Sequence, residues 1–259
     1  MYDWPEIRTH TDRFWSEIRT ELASHGVAAA EELTRGEDIS APWRMPDLLL
    51  GQTCGYPLVR GLAEPALAFA RPSYDVEGCG EGTYRSCFLA GENGTLADFR
   101  GMRAAVNGWD SQSGFIALAH AIRPYAAADA PFFAAASVTG AHRASADAVA
   151  RGDTDLCAMD AVAWALYQRI EPARAASLHV IGWSTEVPAL PYVTAPGHAE
   201  LAEMLCTALD RAARTLEGTC PALPIRVTPA TRVDYAPIAA MAEAATEMAF
   251  APQGAQQSP

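Results

Sequence analysis

The sequence VNGWDSQSGF, residues 106–115, passes from an apolar segment through a polar loop into a second apolar segment. This pattern predicts a short strand at 103–106 and an apolar helix at 114–121. Ser111 or Ser113 can cap the start of that helix, where backbone N–H groups lack acceptors and point toward any nearby anion. The stretch is therefore predicted to be both a helix start and a candidate anion site.

The same strand-to-helix step recurs twice further along the chain. Strands are predicted at 132–137 and 155–159, followed by helices at 142–151 and 161–169. Thr139 and His142 occupy the first of these steps, and Asp160 occupies the second. Strands that alternate with helices predict parallel pairing in an α/β fold, whose ligands bind outside the carboxyl ends of the strands. Three successive units are thus expected to present polar side chains toward one place.

The other predicted elements favour two lobes. Helices are expected at 4–22, 57–62, 96–101, 197–217 and 235–250, strands at 47–52, 66–74, 84–90 and 178–183, and a disordered tail at 251–259. The late helices need a sheet to cover, so the chain is expected to leave lobe one, build lobe two and return. Lobe one is predicted as 1–92 plus 194–259 and lobe two as 93–193, with hinge crossings near 91–94 and 187–194.

The composition is that of a globular protein with an acidic surface. Half of the 259 residues are apolar, enough for a substantial core, and the formal net charge is −12. Nucleic acid and anionic lipid both require a basic face, so neither is a predicted partner. No stretch is long enough to span a bilayer, and the N-terminal residues do not form a signal peptide. The protein is expected in the cytoplasm as written, or in the periplasm if the N-terminus is truncated.

Six cysteines are scattered along the chain without a CxxC pair or a neighbouring histidine cluster. This spacing disfavours a zinc site, and neither a metal nor a cofactor is predicted. Structural thiols in a reducing compartment are expected, with a Cys79–Cys87 disulfide as the alternative if the protein is exported. Cys54 lies in the loop GQTCGYP, where it could act as a nucleophile with His142 as its base, and a cysteine-dependent enzyme is therefore one alternative function.

Three segments together resemble one protein family. They are SQSGF at 111–115, TGAHRASADAVARGDTDLCAMD at 139–160 and GWSTEVPALPYVT at 182–194. In combination they are similar to the phosphate and phosphonate substrate-binding proteins of ABC transporters, the PhnD-like group of type 2 periplasmic binding proteins. The resemblance runs from the N-terminus to the helix near Glu200 and is strongest between Asp98 and Thr194. It implies a two-lobe α/β fold with a hinged ligand cleft.

The resemblance also implies roles for particular positions. Ser111, Ser113 and the backbone of Gln112 match a serine-rich helix start that binds phosphonate oxygens. His142 matches a histidine that contacts the same group, and Asp160 falls where an acidic side chain can meet a ligand ammonium. The full set of predicted ligand-binding residues is Tyr2, Gln52, Thr53, Ser111, Gln112, Ser113, Thr139, His142, Asp160 and Tyr192. The loop PALPY lacks the carboxylate of aminoalkylphosphonate binders, which leaves phosphate, a simple phosphonate or another small anion as the ligand.

The function expected on this basis is capture of a small oxyanion for an ABC transporter, without catalysis, by a monomer that works with a permease. A cytoplasmic ligand sensor is the other alternative, because fold does not separate transport from sensing. Each singled-out residue also has a purely structural interpretation. Ser111 and Ser113 can simply cap a helix, and Asp160 can cap the next one. The convergence of these residues at strand ends is what favours a ligand site.

Overall fold

The computed structural model describes residues 2–36, 38–125 and 130–245, which fall into two compact units. The first unit comprises Met1–Arg85, Ala161–Ile170 and Glu186–Ala239, and the second comprises Ser86–Asp160, Glu171–Thr185 and Ala240–Pro259. Within the described ranges, no helix is both long enough and apolar enough to cross a membrane.

The described residues form twelve strands and eight α-helices, named in chain order. The strands are β1 (Gly51–Gln52), β2 (Leu67–Ser73), β3 (Cys79–Gly80), β4 (Thr83–Tyr84), β5 (Ser86–Ala90), β6 (Arg103–Val106), β7 (Ala135–Val138), β8 (Leu156–Asp160), β9 (His179–Trp183), β10 (Val187–Pro188), β11 (Tyr192–Thr194) and β12 (Arg226–Pro229). The α-helices are α1 (Arg8–Ser24), α2 (Gly55–Val59), α3 (Ala117–Ile122), α4 (His142–Ala150), α5 (Ala161–Ile170), α6 (Pro172–Ala175), α7 (Ala202–Thr215) and α8 (Ala236–Ala245). A π-helical turn, Gln112–Ile116, directly precedes α3.

The first unit packs helices against an antiparallel sheet with the strand order β1-β11-β2-β12. In α1, Trp15, Ile18 and Leu22 recur at three- and four-residue spacing, so they share one face of the helix and are buried. Helix α7 presents a similar apolar face, and the two helices form one core with the sheet. A small three-stranded sheet, β10-β4-β3, also belongs to this unit.

The second unit contains a five-stranded sheet with the order β7-β6-β8-β5-β9. Strand β6 runs parallel to β7 and β8, whereas β5 runs antiparallel to β8 and β9. Helix α4 connects β7 to β8 and packs on β6 and β8. The carboxyl ends of three strands therefore meet at one edge, where Asn107 follows β6, Thr139 follows β7 and Asp160 ends β8.

The predicted parallel pairing is correct only around β6. All pairs in the four-stranded sheet of the first unit are antiparallel, and so are the pairs that β5 makes. The reason is that sheet neighbours there are distant in sequence, since β1 pairs with β11 and β2 pairs with β11 and β12. Alternating strands and helices predict parallel pairing only when consecutive strands are neighbours, and a local pattern does not contain that information.

The predicted lobes, 1–92 plus 194–259 and 93–193, differ from the two units. Strand β5 belongs to the second unit because it pairs with β8 and β9, and α5 belongs to the first. The chain first enters the second unit after Arg85, not near 91–94. The strand predicted at 84–90 covers the last residue of β4 and all of β5, and the chain passes from the first unit to the second between these two strands.

Most predicted elements occur within a few residues of their expected bounds. The strand expected at 47–52 is reduced to β1, and the helix expected at 96–101 is a 3₁₀ helix, Leu96–Phe99, with a capping box at Thr95. The strand expected at 132–137 begins later and forms β7. The predicted tail at 251–259 lies outside the described residues.

All six cysteines lie among the described residues and none of them is in a disulfide, so the Cys79–Cys87 disulfide considered from the sequence is not formed. Cys87 instead donates its S–H to the Met159 carbonyl oxygen, with 3.4 Å between the atoms. Burial raises the pKa of Cys157 to about 12, which keeps that thiol protonated. Among the residues that the structure describes, no three His, Cys, Asp or Glu side chains are grouped to hold a metal ion.

Candidate functional site

Three polar side chains meet at the carboxyl edge of the second unit's sheet, and we call them the Ser113–His142–Asp160 cluster. Ser113 Oγ lies 2.8 Å from His142 Nε2, which lies 3.4 Å from Asp160 Oδ2. Ser113 follows β6, His142 begins α4 after β7, and Asp160 ends β8. Because β6 is parallel to β7 and β8, residues from three separate segments converge here, and the predicted convergence is confirmed for them.

Ser111 is the N-cap of the turn that carries Ser113. Its Oγ accepts a hydrogen bond from the N–H of Gly114 at 3.0 Å, and its carbonyl oxygen accepts from Phe115 and Ile116. The structural interpretation of Ser111 as a helix cap is therefore correct. Since the hydroxyl acts as an acceptor in this contact, its own proton can still be donated elsewhere.

Thr139 supports the loop after β7. Its N–H donates to the Val106 carbonyl oxygen at 2.9 Å, and its Oγ1 lies 2.6 Å from Ser145 Oγ and 3.2 Å from the Ala141 carbonyl oxygen. These contacts tie the end of β7 to the end of β6 and to α4. Thr139 thus positions the segment that carries His142, and its direct contact with a ligand stays a prediction.

The side chain of Gln112 is held in the protein interior by a contact with α8. The side chain is fully buried, and its Nε2 donates to Met241 Sδ in α8 at 3.3 Å. Its Oε1 is buried and has no hydrogen-bond partner among the described residues. The predicted role of Gln112 therefore rests on its backbone N–H, while its carboxamide connects the turn to α8.

The sequence interpretation missed Asn107, which directly follows β6. Its Oδ1 is buried and has no hydrogen-bond partner within the described part of the chain. A Cβ atom added at Gly114 would lie 1.8 Å from Asn107 Oδ1 and 3.2 Å from His142 Cε1. Only glycine at this position leaves room for the carboxamide beside His142. The available signal was the position of Asn107 as the first polar residue after a predicted strand.

The cluster combines a buried carboxyl group with an imidazole that is hard to protonate. Asp160 is 2% exposed, and the side chain of His142 is 14% exposed. Burial lowers the pKa of His142 because it penalises the charged imidazolium, and the opposing effect of Asp160 does not overcome this penalty. His142 is therefore a neutral hydrogen-bonding group near pH 7.

We expect acid to destabilise the wild-type protein more than the His142→Asn variant. Because the folded-state pKa of His142 is lowered, the unfolded chain binds this proton more readily than the folded one. The resulting stability is present above the ordinary imidazole pKa of about 6.5 and is lost as the pH falls below it. Urea unfolding of both proteins at several pH values measures the difference. An equal loss of unfolding free energy in both proteins would contradict the expectation.

Three predicted residues of the first unit are brought together by the pairing of β1 with β11. Gln52 pairs with Tyr192 across the two strands, and its Nε2 donates to the Leu190 carbonyl oxygen at 3.2 Å. The N–H of Thr53 donates to the Pro191 carbonyl oxygen at 3.0 Å, and the residue is fully buried. These contacts hold the loop that contains PALPY, and ligand contact by the three residues stays a prediction.

Tyr2 lies elsewhere in the first unit and packs its ring edge-on against Tyr74, with 5.7 Å between the ring centroids. It is buried, so it is not the loose terminal residue that one structural interpretation allowed. Its role toward a ligand also stays a prediction.

Burial raises the pKa of Tyr192, so this phenol remains a neutral donor and acceptor over the physiological range.

Several solved structures have the same fold as this chain. PhnD1 from Prochlorococcus marinus in complex with methylphosphonate aligns with a TM-score of 0.68 and 16% identity over 92% of this chain and 93% of its own. A binding protein component of an ABC phosphonate transporter from Pseudomonas aeruginosa aligns with a TM-score of 0.69 and 14% identity over 90% of this chain and 81% of its own. A Xanthomonas citri protein bound to ATP aligns with a TM-score of 0.64 and 16% identity over 92% of this chain and 94% of its own. The expected α/β fold of a type 2 periplasmic binding protein is thereby confirmed.

Sequence comparison gives the family. No curated protein matches the chain. A family model described as the periplasmic substrate-binding protein of phosphonate ABC transporters matches residues 47–235, well over half of the 259 residues. The matched region includes Asn107 and the whole Ser113–His142–Asp160 cluster. This chain therefore belongs to the family of periplasmic phosphonate-binding proteins that serve ABC transporters.

Proposed function

We propose that this protein captures a small phosphonate or phosphate-like oxyanion at the Ser113–His142–Asp160 cluster and delivers it to an ABC permease. The observation that carries the proposal is the 2.8 Å contact between Ser113 Oγ and His142 Nε2 at the carboxyl edge of the sheet. Two uncharged hydrogen-bonding groups lie side by side there, at the position where α/β sheets bind ligands.

The chemistry of capture uses neutral donors. When the ring proton of His142 is on Nε2, the imidazole donates to Ser113 Oγ, and the Ser113 hydroxyl then donates its own proton to an oxygen of the anion. The N–H groups of Gln112 and Ser113 open the π-helical turn, where backbone donors lack an acceptor four residues earlier. Partial charges held in a buried site bind an oxyanion strongly, so the net charge of −12 is no obstacle.

The ligand class is supported by the family and by the ligand of one structural relative. PhnD1 from Prochlorococcus marinus binds methylphosphonate, and the family model describes phosphonate binding. In this chain the loop PALPY contains no carboxylate that could hold an ammonium group. A simple phosphonate, or inorganic phosphate, is therefore a better candidate than an aminoalkylphosphonate.

Transport is favoured over the two alternatives. The family is one of transport proteins, and no specific contact favours a sensor. Cys54 lies in the first unit and is 8% exposed, whereas His142 contacts Ser113 and Asp160 in the second unit. We expect the protein to act as a monomer that binds one anion per chain.

A ligand panel tests the proposal. We expect methylphosphonate or phosphate to raise the melting temperature, because a ligand at about 100 times its Kd stabilises a folded protein by about 2.7 kcal/mol. Calorimetry with methylphosphonate, phosphate, ATP, sulfate and acetate gives affinities and stoichiometry. Binding of methylphosphonate or phosphate with one site per chain supports the proposal. Binding of acetate alone, or of none of these anions, would overturn it.

A further inference from the structure

The first unit contains an arginine whose charge is not paired within the described part of the chain. Arg71 lies on β2, between β11 and β12 in the four-stranded sheet, and is partly buried. Its guanidinium forms no hydrogen bond or ion pair with the described residues, although its Nε is buried. Arginine is rarely buried without an acceptor, because removing its charge from water is costly. Arg71 is therefore a candidate for binding an anion.

Gly82, in the turn between β3 and β4, fixes the position of this side chain. A Cβ atom added at Gly82 would lie 2.6 Å from Arg71 Nε and 3.2 Å from Arg71 Cζ, so the guanidinium packs directly on the glycine. Gly82 has a φ of +63°, which favours glycine. Its N–H donates to Ser73 Oγ at 2.8 Å, and its carbonyl oxygen accepts from the Ala189 N–H at 2.9 Å. The guanidinium thus lies against backbone that is itself held in place.

The acceptors around the guanidinium already have donors. The Ala189 carbonyl oxygen accepts from the Tyr235 hydroxyl at 2.6 Å. Asp234 Oδ2 accepts from the N–H and the hydroxyl of Thr231, at 2.7 and 3.1 Å. The N–H of Thr231 lowers the pKa of Asp234 most, and the charge of Arg71 lowers it further without an ion pair between the two. The guanidinium is therefore available to an acceptor that a ligand supplies.

Donors of Arg71 and Thr228 lie on the same face of the sheet. Arg71 is partly exposed, and of its three guanidinium nitrogens only Nε is buried, so both Nη groups reach solvent. Thr228 on β12 pairs directly with Arg71 in the antiparallel ladder, so the two side chains are neighbours on one face. The Thr228 hydroxyl makes no hydrogen bond with the described residues. An anion that contacts the two Nη groups therefore has a hydroxyl donor beside it.

The geometry and the local charge favour a carboxylate. The two Nη groups of an arginine lie in one plane and match the two oxygens of a planar carboxylate. The charges of Asp234 and Arg71 interact, so the net charge around the guanidinium is close to zero. A doubly charged phosphonate would meet more repulsion from Asp234 than a singly charged carboxylate does.

We propose that Arg71 and Thr228 form a carboxylate-binding site in the first unit. The two Nη groups of Arg71 each donate to one carboxylate oxygen, and the Thr228 hydroxyl donates to one of the same oxygens. The site does not depend on the proposed function, which uses residues of the second unit, and it adds a carboxylate to the one oxyanion expected at the cluster. Neither residue is in the ligand-binding set predicted from the sequence.

NMR of the ¹⁵N-labelled wild-type protein tests the site directly. Because Arg71 Nε is buried, its N–H proton is protected from exchange with water and gives a signal of its own. We expect this signal to shift in a saturable way as acetate is added near neutral pH. Sodium chloride at the same ionic strength should cause only a small shift that does not saturate, since chloride lacks the paired oxygens that the two Nη groups match. Methylphosphonate should bind at Arg71 more weakly than acetate does.

Three variants test the role of the guanidinium, with the backbone N–H of Gly82 as the reporter. Arg71→Gln should lower acetate affinity by about 10- to 100-fold, because it removes hydrogen bonds to a charged group. Arg71→Lys keeps the charge without the two Nη groups and should also bind acetate more weakly, which keeps the test decisive if Arg71→Gln does not fold. Arg226→Gln is the matched control, since Arg226 is exposed on β12 two residues before Thr228. It should bind acetate like the wild type.

The outcomes separate this inference from the proposed function. An Arg71 Nε–H signal that acetate does not saturate, that responds equally to chloride, or that methylphosphonate saturates at lower concentration would overturn the inference. Equal weakening in Arg71→Gln and Arg226→Gln would do the same. The backbone N–H signals of Ser113 and Gly114 report the cluster, so a response there to methylphosphonate leaves the proposed function intact. A saturable acetate site at Arg71, with no methylphosphonate binding at the cluster, would support this inference and overturn the proposed function.

Discussion

We expect the Gly114→Ala variant to lose about 100-fold or more in affinity for methylphosphonate and to be less stable than the wild type. The added Cβ would lie 1.8 Å from Asn107 Oδ1 and 3.2 Å from His142 Cε1, so the carboxamide and the imidazole must move. Overpacking of this kind costs about 1–3 kcal/mol of folding free energy. A shift of the imidazole also disturbs its 2.8 Å hydrogen bond to Ser113. Calorimetry and urea unfolding measure the two effects.

Gly182→Ala is the matched control for this variant. Gly182 lies on β9 in the same unit, and a Cβ added there would meet Phe88 Cδ2 at 3.5 Å, an ordinary van der Waals distance. We expect this variant to bind methylphosphonate like the wild type. Wild-type affinity in Gly114→Ala would show that the close packing of Asn107 against Gly114 has no part in ligand binding.

The second large effect is expected from the donors themselves. Ser113→Ala and His142→Ala should each lower methylphosphonate affinity by about 10- to 100-fold, because hydrogen bonds to charged groups contribute about 1.5–3 kcal/mol. The double variant should lose less than the sum of the two single losses, since the side chains hydrogen-bond each other. A double-mutant cycle by calorimetry measures this coupling.

His179→Ala controls for the loss of a histidine from the same unit. His179 is exposed on β9, away from the carboxyl edge formed by β6, β7 and β8. Its replacement should leave methylphosphonate affinity unchanged. If Ser113→Ala and His142→Ala both bind methylphosphonate like this control, the cluster is not the ligand site.

Much of the second unit could be predicted from local sequence. The strand expected at 103–106 is β6, and the helix expected at 142–151 is α4 to within one residue. Both predictions succeed because an apolar run, a polar step and a helical pattern follow each other without interruption. The convergence of Ser113, His142 and Asp160 followed from the general placement of ligands at strand ends.

The division into units could not be predicted in the same way. Strand β5 follows β4 after the single residue Arg85, so the local pattern did not show that the two strands belong to different sheets. The antiparallel pairing of β1 with β11 joins residues that are far apart in the chain, such as Gly51 and Val193. Periodicity reports which face of a strand is apolar and contains no information on its partner.

Local sequence patterns predicted most of the helices and strands of this protein, the polar residues at the ends of β6, β7 and β8, and the family resemblance. Local patterns do not contain the contacts between polar groups, which depend on the folded chain. The tertiary structure placed Asn107 beside His142, turned the Gln112 side chain toward Met241, and made Ser111 a cap. The physical reason is that hydrogen bonds and close packing depend on distances between segments, and those distances are fixed only when the strands pair.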